Sequence, residues 1–486
     1  MNDQFHNSGP GEQNVAQGDR AVGKQENNFF YRLLGRIFTS GNQSPAIGAG
    51  RDVQAIEQLE DAAKQRRISA AADTNVSQAI AQRLQLRYAK AAAYWQKAAA
   101  LLPEDKKQER SLYLHNAGYD FDRVARYKEA LPLYEQSLAI DREIGDKAGE
   151  SAMLNNIGEI YRAQGDYSTA LKYFEQSLGI RRENGDKAGE GQSLNNIGQI
   201  YDAKGDYSTA LTYLKQSLAI SREIGDKAVE GATLSNIGAL HHARCDYSTA
   251  LTCLEQSLGI SREIGDKAGE GTMLNNISQI YDARGDSSTA LTYLEQSLAI
   301  SREIGDRAGE GTTLNNISQI YKARGNYAAA LTYLEQSLDI SQEIGDRAVE
   351  GATLNNIGQI YDARGDYAAA LKYLEQSLAI RQEIGDKAGE GATLSNIGAL
   401  HHAKGDYAAA LKYLKQSLAI SKEIGDRRGE AVMSWNIGRV YEDQGDLVKA
   451  EQHISRAVQL MEEIGHPKLE ECREGLADIR AELRGR

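Results

Sequence analysis

Two histidine doublets are the residues of this chain whose side chains most readily bind metals. They are His241-His242 and His401-His402. Adjacent residues of a helix point about 100° apart, so the two members of one doublet are not placed to bind the same ion. His241 and His401 also stand where the equivalent segments described below carry tyrosine, which favours a packing role. We therefore predict no metal site.

The cysteines and hydroxyl nucleophiles do not form a catalytic pattern either. Cys245, Cys253 and Cys472 include no CxxC pair, and their odd number argues against a disulfide framework. Cys245 and Cys253 replace a glycine and a tyrosine of the repeated pattern, which indicates drift. The chain has no phosphate-binding GxxxxGK[ST] segment, and no Ser-His-Asp arrangement can be argued from it. We expect a non-enzymatic protein without a cofactor.

Composition narrows the class of protein further. Of the 486 residues, 41% are hydrophobic and 26% are charged, which is enough for a continuous core in a soluble chain. The net charge of -12 argues against a nucleic acid partner, because phosphate binding needs a basic surface. The longest apolar run, Phe29 to Phe38, is too short to span a bilayer, and no signal peptide opens the chain. We expect a cytoplasmic protein without an integral membrane segment.

Repeated helices would have to position any binding residues. Eight blocks of 40 residues from Asp146 onward have nearly the same sequence, and a fixed period of this length indicates a solenoid. Within a block, Leu154, Ile157 and Tyr161 follow helical spacing. Gly165-Asp166 then supplies a left-handed residue after the helix and a cap for the next one. Each block is predicted to form two antiparallel helices of about 18 residues.

Large and small residues alternate within a block in the order of a known repeat. The pattern resembles the tetratricopeptide repeat, whose usual period is about 34 residues. Its positions here are Leu154, Ile157, Gly158, Tyr161, Gly165, Tyr167, Ala170, Phe174 and Ser177. This 40-residue variety is similar to the repeats of spindle-orientation scaffolds and, less closely, of kinesin light chains. The resemblance implies an all-α fold, an α-solenoid that forms a right-handed superhelix.

The sequence divides into four parts around this array. Residues 1–50 are expected to form a flexible tail with a short amphipathic segment at 29–38. Residues 51–105 are predicted to be a helical cap or a degenerate repeat. Nine repeats are predicted over residues 106–465, and a capping helix with a polar outer face over 466–486.

The resemblance implies a partner-binding groove, because the first helices of tetratricopeptide proteins line the concave face. Amide side chains there offer both donors and acceptors to the backbone of an extended peptide. Acidic residues alternate with basic ones, so the groove has no single sign of charge. The candidate groove residues are Asn155, Arg162, Asn195, Gln199, Asp202, Asn275, Gln279, Asp282, Asn315, Gln319, Lys322, Asn355, Gln359, Asp362, Trp435 and Arg439.

Two of these assignments leave alternatives open. Trp435 stands in the last repeat, where it either anchors a partner or covers the C-terminal cap. The asparagine that follows each groove asparagine, such as Asn156, either makes a second peptide contact or satisfies backbone groups between neighbouring first helices. We favour the structural role for the Asn156 series.

The first 50 residues carry two competing interpretations. Residues 7–27 are rich in Gly, Gln and Asn, which is typical of a disordered tail. A loose repetition around Val15 and Val22 also resembles short amyloid-forming signalling motifs of bacteria and fungi. The amphipathic segment at 29–38 is suited to packing on the array, to a partner or to a membrane surface.

Two classes of function follow. The first is a scaffold that holds an extended peptide or helix of a protein partner in the concave groove. The second is a signalling switch or receptor whose N-terminal segment is released or assembled when the groove is occupied, with self-association through the tail.

Overall fold

The computed structural model describes residues 70–485, and this part of the chain contains helices and no strand. The predicted all-α class is confirmed. The helices are α1 (70–84), α2 (Tyr88–Leu101), α3 (Lys107–Asp122), α4 (Tyr127–Ile144), α5 (Lys147–Gln164), α6 (Tyr167–Glu183), α7 (Lys187–Ala203), α8 (Tyr207–Ile224), α9 (Lys227–Ala243), α10 (Tyr247–Glu263), α11 (Lys267–Ala283), α12 (Ser287–Ile304), α13 (Arg307–Ala323), α14 (Tyr327–Ile344), α15 (Arg347–Ala363), α16 (Tyr367–Ile384), α17 (Lys387–Ala403), α18 (Tyr407–Ile424), α19 (Arg427–Asp443), α20 (Leu447–Glu463) and α21 (Leu469–Gly485).

From α3 to α20 the helices form successive pairs, which we number as repeats 1 to 9. The odd-numbered helix of each pair is its first helix, and the even-numbered helix is its second. The two helices of a pair pack on each other, and each second helix also packs on the first helix of the next repeat. A stack in which every unit is covered by its neighbours is the predicted α-solenoid, which is confirmed.

The Gly-Asp pairs end and begin helices as predicted. Gly165 has a φ of 82°, in the left-handed region that favours glycine. The side chain of Asp166 then accepts a hydrogen bond of 3.0 Å from the backbone nitrogen of Thr169, which caps the next helix. Cys245 stands at the glycine position of repeat 4 and adopts a φ of 59°.

Small and aromatic residues hold the two helices of a repeat together. The Ser257 hydroxyl donates to the carbonyl of Gly231 at 2.8 Å, and equivalent bonds recur in other repeats. Tyr281 stacks on Tyr293 with ring centroids 5.4 Å apart. The first-turn glutamates of repeats 2 to 6 are buried, and each pairs with one basic residue of the preceding helix and one of its own helix. Glu270, for example, accepts from Arg262 and Lys267 at 2.8 Å each. These positions are therefore structural.

The array coils far enough for one turn of the superhelix to lie on another. The ring of Tyr167 in repeat 2 packs against the cluster that contains Ile424 in repeat 8. A Cβ atom built on Gly165 would lie 3.3 Å from the backbone nitrogen of Ala388, also in repeat 8. One built on Gly205, in repeat 3, would lie 3.5 Å from a methyl carbon of Ile464 in repeat 9. Repeats 2 and 3 thus contact repeats 8 and 9, and we call this contact the stack.

Further helices cover both ends of the repeats. On the N-terminal side Trp95 of α2 is buried, with its ring centroid 5.6 Å from that of Tyr113 in repeat 1. On the C-terminal side α21 packs on α20 and buries Leu476 and Ile479. No helix within residues 70–485 is both long and apolar enough to cross a lipid bilayer.

Several predictions concern residues outside the described range. The tail at 1–50, its amyloid-type motif, the segment at 29–38 and the first part of the 51–105 unit all lie before residue 70. They stay predictions.

Candidate functional site

The first helices line the concave face of the array. Several neighbouring first helices contact one another directly, whereas neighbouring second helices of the described repeats lie further apart. In a curved stack the elements on the inside of the curve are the closer ones. The helices that carry the predicted groove positions therefore lie on the inner side of the array.

The groove asparagines form hydrogen bonds within the array. Asn315 is 8% exposed, and its side-chain nitrogen donates to Ser337 Oγ at 2.8 Å and to Thr353 Oγ1 at 2.7 Å. Its side-chain oxygen accepts from Asn356 at 3.1 Å. Asn155, Asn195 and Asn275 are likewise buried, whereas Asn355 is half-buried.

The Asn156-type residues form the other half of this amide ladder. Five of them donate to the groove asparagine of the preceding repeat, as Asn316 does to Asn275 at 3.0 Å and Asn196 does to Asn155 at 3.0 Å. We expected these residues to satisfy backbone groups, but their partners in these two cases are side chains. The ladder links neighbouring first helices, and partner binding through the groove asparagines stays a prediction.

A second row of amides lies four residues further along the same helices. Gln199, Gln319 and Gln359 are half-buried, and Gln279 is exposed. Gln359 accepts a hydrogen bond of 2.5 Å from Lys322. Among residues 70–485, the side chains of Gln199 and Gln279 have no hydrogen-bond partner. This glutamine row therefore keeps amide donors and acceptors on the concave face.

Charged candidates alternate in sign along the groove. Arg162 pairs with Glu159 at 2.7 Å, and Arg439 pairs with Glu442 at 2.6 Å. Asp282 accepts a hydrogen bond of 2.9 Å from Ser287.

Lys322 and Asp362 influence each other's ionisation. Burial lowers the pKa of Lys322, and the charge of Asp362 opposes that shift. Burial likewise raises the pKa of Asp362, opposed by Lys322. Both shifts arise mainly from loss of water, so this part of the groove is partly dehydrated.

Three predicted residues come together in one cavity. Arg162, Gln199 and Asp202 line a space of about 240 Å³ with Tyr167, Asn236 and Ala239. Burial raises the pKa of Asp202 to about 6, and the positive charge of Arg428 opposes this rise. A carboxyl group in this state changes between a donor and a charged acceptor near pH 6.

Trp435 contacts the C-terminal helix. A Cβ atom built on Gly475 of α21 would lie 2.8 Å from Cη2 of this half-buried indole. Only a glycine fits so close to the ring. The contact supports the interpretation of Trp435 as a cover for the cap.

The histidine doublets take part in packing and in carboxylate contacts. His401 stacks on Tyr413 with ring centroids 5.5 Å apart, as tyrosine does in the equivalent repeats. His241 Nδ1 lies 3.0 Å from Asp246, and His402 Nε2 lies 2.7 Å from Asp443. Among residues 70–485, no three His, Cys, Asp or Glu side chains are grouped as metal ligands.

Arg428 was missed by the sequence-based prediction. It occupies the second position of α19, where the other repeats from repeat 2 onward carry alanine, as in Ala388. Its charge acts on Asp202 and also lowers the pKa of His242, although burial is the larger cause there. The departure from alanine was the available signal.

The curved stack of helix pairs defines an α-solenoid of helical-hairpin repeats. Family models described as tetratricopeptide repeat match residues 149–223, 230–303, 309–383, 349–423 and 389–463, and a further one matches residues 114–148. These matches cover more than half of the chain. The protein therefore belongs to the tetratricopeptide repeat family.

Comparison with solved structures gives matches of low sequence identity. The crystal structure of a Rap protein complexed with competence and sporulation factor has a TM-score of 0.52 and 15% identity, and covers 74% of this chain and 99% of that chain. The apo form of RapI gives 0.45 and 16%, covering 56% and 98%. A putative kinesin light chain from Podospora anserina gives 0.33 and 19%, covering 40% and 96%. No curated protein shows a significant sequence match.

Proposed function

We propose that this protein is a non-enzymatic scaffold that binds an extended peptide or a helix of a protein partner along its concave face. The observation that carries the proposal is the glutamine row. Gln199 and Gln279 lie on the first helices, and no described residue forms a hydrogen bond with their side-chain amides. Such amides are suited to the backbone of an extended segment, since each offers a donor and an acceptor.

The proposed contact surface consists of the glutamine row and the charged residues beside it. The groove asparagines are left out, because their amides already bond within the array. The charges alternate in sign, so the matching segment carries both acidic and basic residues rather than a single charged run.

A relative of the same fold supports a binding role. The Rap protein of TM-score 0.52 was crystallised in complex with competence and sporulation factor. That complex indicates that such a solenoid holds a ligand, without indicating the same ligand here. The net charge of -12 favours a protein partner over nucleic acid, and we propose that this partner is cytoplasmic.

A matched pair of variants tests the proposal. The inner variant changes Gln199, Gln279, Gln319 and Gln359 to Ala. The outer variant makes the same change at four exposed glutamines of the second helices, Gln176, Gln216, Gln256 and Gln296. Proteins that co-purify with the wild-type chain are identified first, and the Kd of each variant for them is then measured.

We expect the inner variant to bind at least 10-fold more weakly and the outer variant to bind as the wild type does. Equal binding by both variants would show that another surface is used. The signalling-switch hypothesis concerns residues 1–50 and needs a separate fibrillation assay on that segment, in which a soluble monomer would exclude it.

A further inference from the structure

The stack joins two different edges of the array. One edge carries the turns between the first and second helix of each repeat, and we call it the turn edge. The other carries the residue that ends or follows each second helix, and we call it the Ile edge because this residue is isoleucine in every repeat except repeat 2, where it is Asn184. In the stack, the turn edge of repeats 2 and 3 lies on the Ile edge of repeats 8 and 9.

Isoleucines of the Ile edge differ in exposure according to whether another turn covers them. Ile424 and Ile464, in the stack, are 6% and 8% exposed. Ile144, Ile224 and Ile264, on the N-terminal turn, are 39%, 41% and 39% exposed. Each of these isoleucines lies at the end of a second helix and is followed by a glycine with a positive φ. The N-terminal repeats therefore present an Ile edge without its cover among the described residues.

The turn edge shows the complementary difference. Gly165 and Gly205, in the stack, are buried. Their equivalents in the later repeats are exposed, and they are Gly285, Gly325, Gly365, Gly405 and Gly445. The preceding alanines follow the same trend, since Ala203 is half-buried whereas Ala363 and Ala403 are exposed. The C-terminal repeats therefore present the matching edge uncovered.

We propose that these two uncovered edges bind each other between copies of this chain. The turn edge of repeats 5–9 in one copy binds the Ile edge of repeats 1–4 in the next. A second copy fits because parts of both stacked edges recur in the uncovered ones, although Asn184 replaces the isoleucine in repeat 2 and Ser287 and Leu447 replace the tyrosine in repeats 5 and 9. Ile144 to Ala148 reads IGDKA, as does Ile384 to Ala388, and Tyr367 and Tyr407 repeat Tyr167.

The interface continues the stack along the superhelix, so it has a direction. The two edges are different surfaces of the chain, and the contact does not close on itself. Heterologous contacts of this kind produce linear assemblies. Arg428 acts only within the chain, because the equivalent residues of the N-terminal repeats are alanines such as Ala148 and Ala228. The contact between copies lacks this charge, and we expect it to be weaker than the stack.

The first experiment measures the mass of the full chain by sedimentation over a range of concentrations. We expect the mass to rise through a series of head-to-tail oligomers. Changing both Ile224 and Ile264 to Asp is expected to raise the concentration needed for association at least 10-fold. The control changes exposed Thr252 and Thr292 of the second helices to Asp and should associate as the wild type does. A monomer at every concentration, or equal association by both variants, overturns the proposal.

The second experiment uses the direction of the interface. A turn-edge variant, with Ala363 and Ala403 changed to Glu, is mixed with the Ile-edge variant. At a concentration at which the wild type has just associated, each variant alone should stay monomeric, whereas the mixture should form a complex of two chains and stop there, because each partner keeps one intact edge. Assembly of either variant alone would indicate another contact, such as the tail at 1–50, and would contradict the proposal. Circular dichroism melting of each variant confirms that the fold is retained.

Discussion

Two regions of the array have almost the same sequence but different surroundings. Repeats 5 and 6 lie in the middle of the array, whereas repeats 2 and 3 lie in the stack. Asn275 and Asn315 in the middle bond only to adjacent helices and repeats. Tyr167 and Asp202 in the stacked region also meet residues six repeats away. The position within a repeat determines local packing, and the position along the superhelix determines what else a residue meets.

The stack is tested most strongly by removing one of its isoleucines. Ile424→Ala should lower the free energy of unfolding by about 3 kcal/mol, because it removes buried methyl groups and leaves a cavity. The matched change Ile264→Ala, at the equivalent exposed position, should cost less than about 0.5 kcal/mol. Urea unfolding followed by circular dichroism measures both. Equal losses would mean that the stack adds nothing to stability.

The hydrogen bonds between neighbouring repeats are tested in the middle of the array. Asn315→Ala should cost about 2 kcal/mol, because Ser337, Thr353 and Asn356 each lose a buried hydrogen-bond partner. Gln319→Ala, one turn along the same helix, should change stability by less than about 0.5 kcal/mol. The same urea titration compares them. If Gln319→Ala lowered stability as much as Asn315→Ala, the distinction between a structural asparagine ladder and a free glutamine row would be contradicted.

Asn315 and Gln319 also show how much of the structure could be predicted from the sequence. Helix bounds, caps and the solenoid followed from spacing that every repeat obeys, so they were predictable. The roles of Asn315 and Gln319 were not separable, because both are amides on the inner side of a helix and only their distances to Ser337 and Thr353 distinguish them. The stack was not predictable either. The stack depends on the curvature that many repeats add together, and no pattern within a single repeat predicts this total curvature.

Acidity should affect the stacked region through Asp202. Burial raises the pKa of this carboxyl to about 6, so the folded state retains a proton that the unfolded chain releases near its ordinary pKa. The wild type therefore loses stability as the pH rises from about 4 to 6. Asp202→Asn avoids this loss and should gain about 1.5 kcal/mol over the wild type at pH 7. Melting curves of the two proteins at pH 4 and pH 7 measure this gain. An equal gain at pH 4 would contradict the raised pKa of Asp202.

The smallest expected effect concerns the boundary between the two regions. Cys245 holds a φ of 59° at a turn where other repeats use glycine. Cys245→Gly should stabilise the protein by about 1 kcal/mol, because glycine adopts this conformation without strain. Cys245→Ser keeps the strained backbone and serves as the control. A gain with serine as large as that with glycine would assign the effect to the thiol.

The stack also gives the array a mechanical property. A solenoid whose units touch only their neighbours extends smoothly when its ends are pulled, whereas here one turn must separate from another before the coil can lengthen. Tyr167 and Ile424 part in that event while every helix pair remains folded. We therefore expect a pulling experiment to show the separation of the two turns as a first step, before any repeat unfolds.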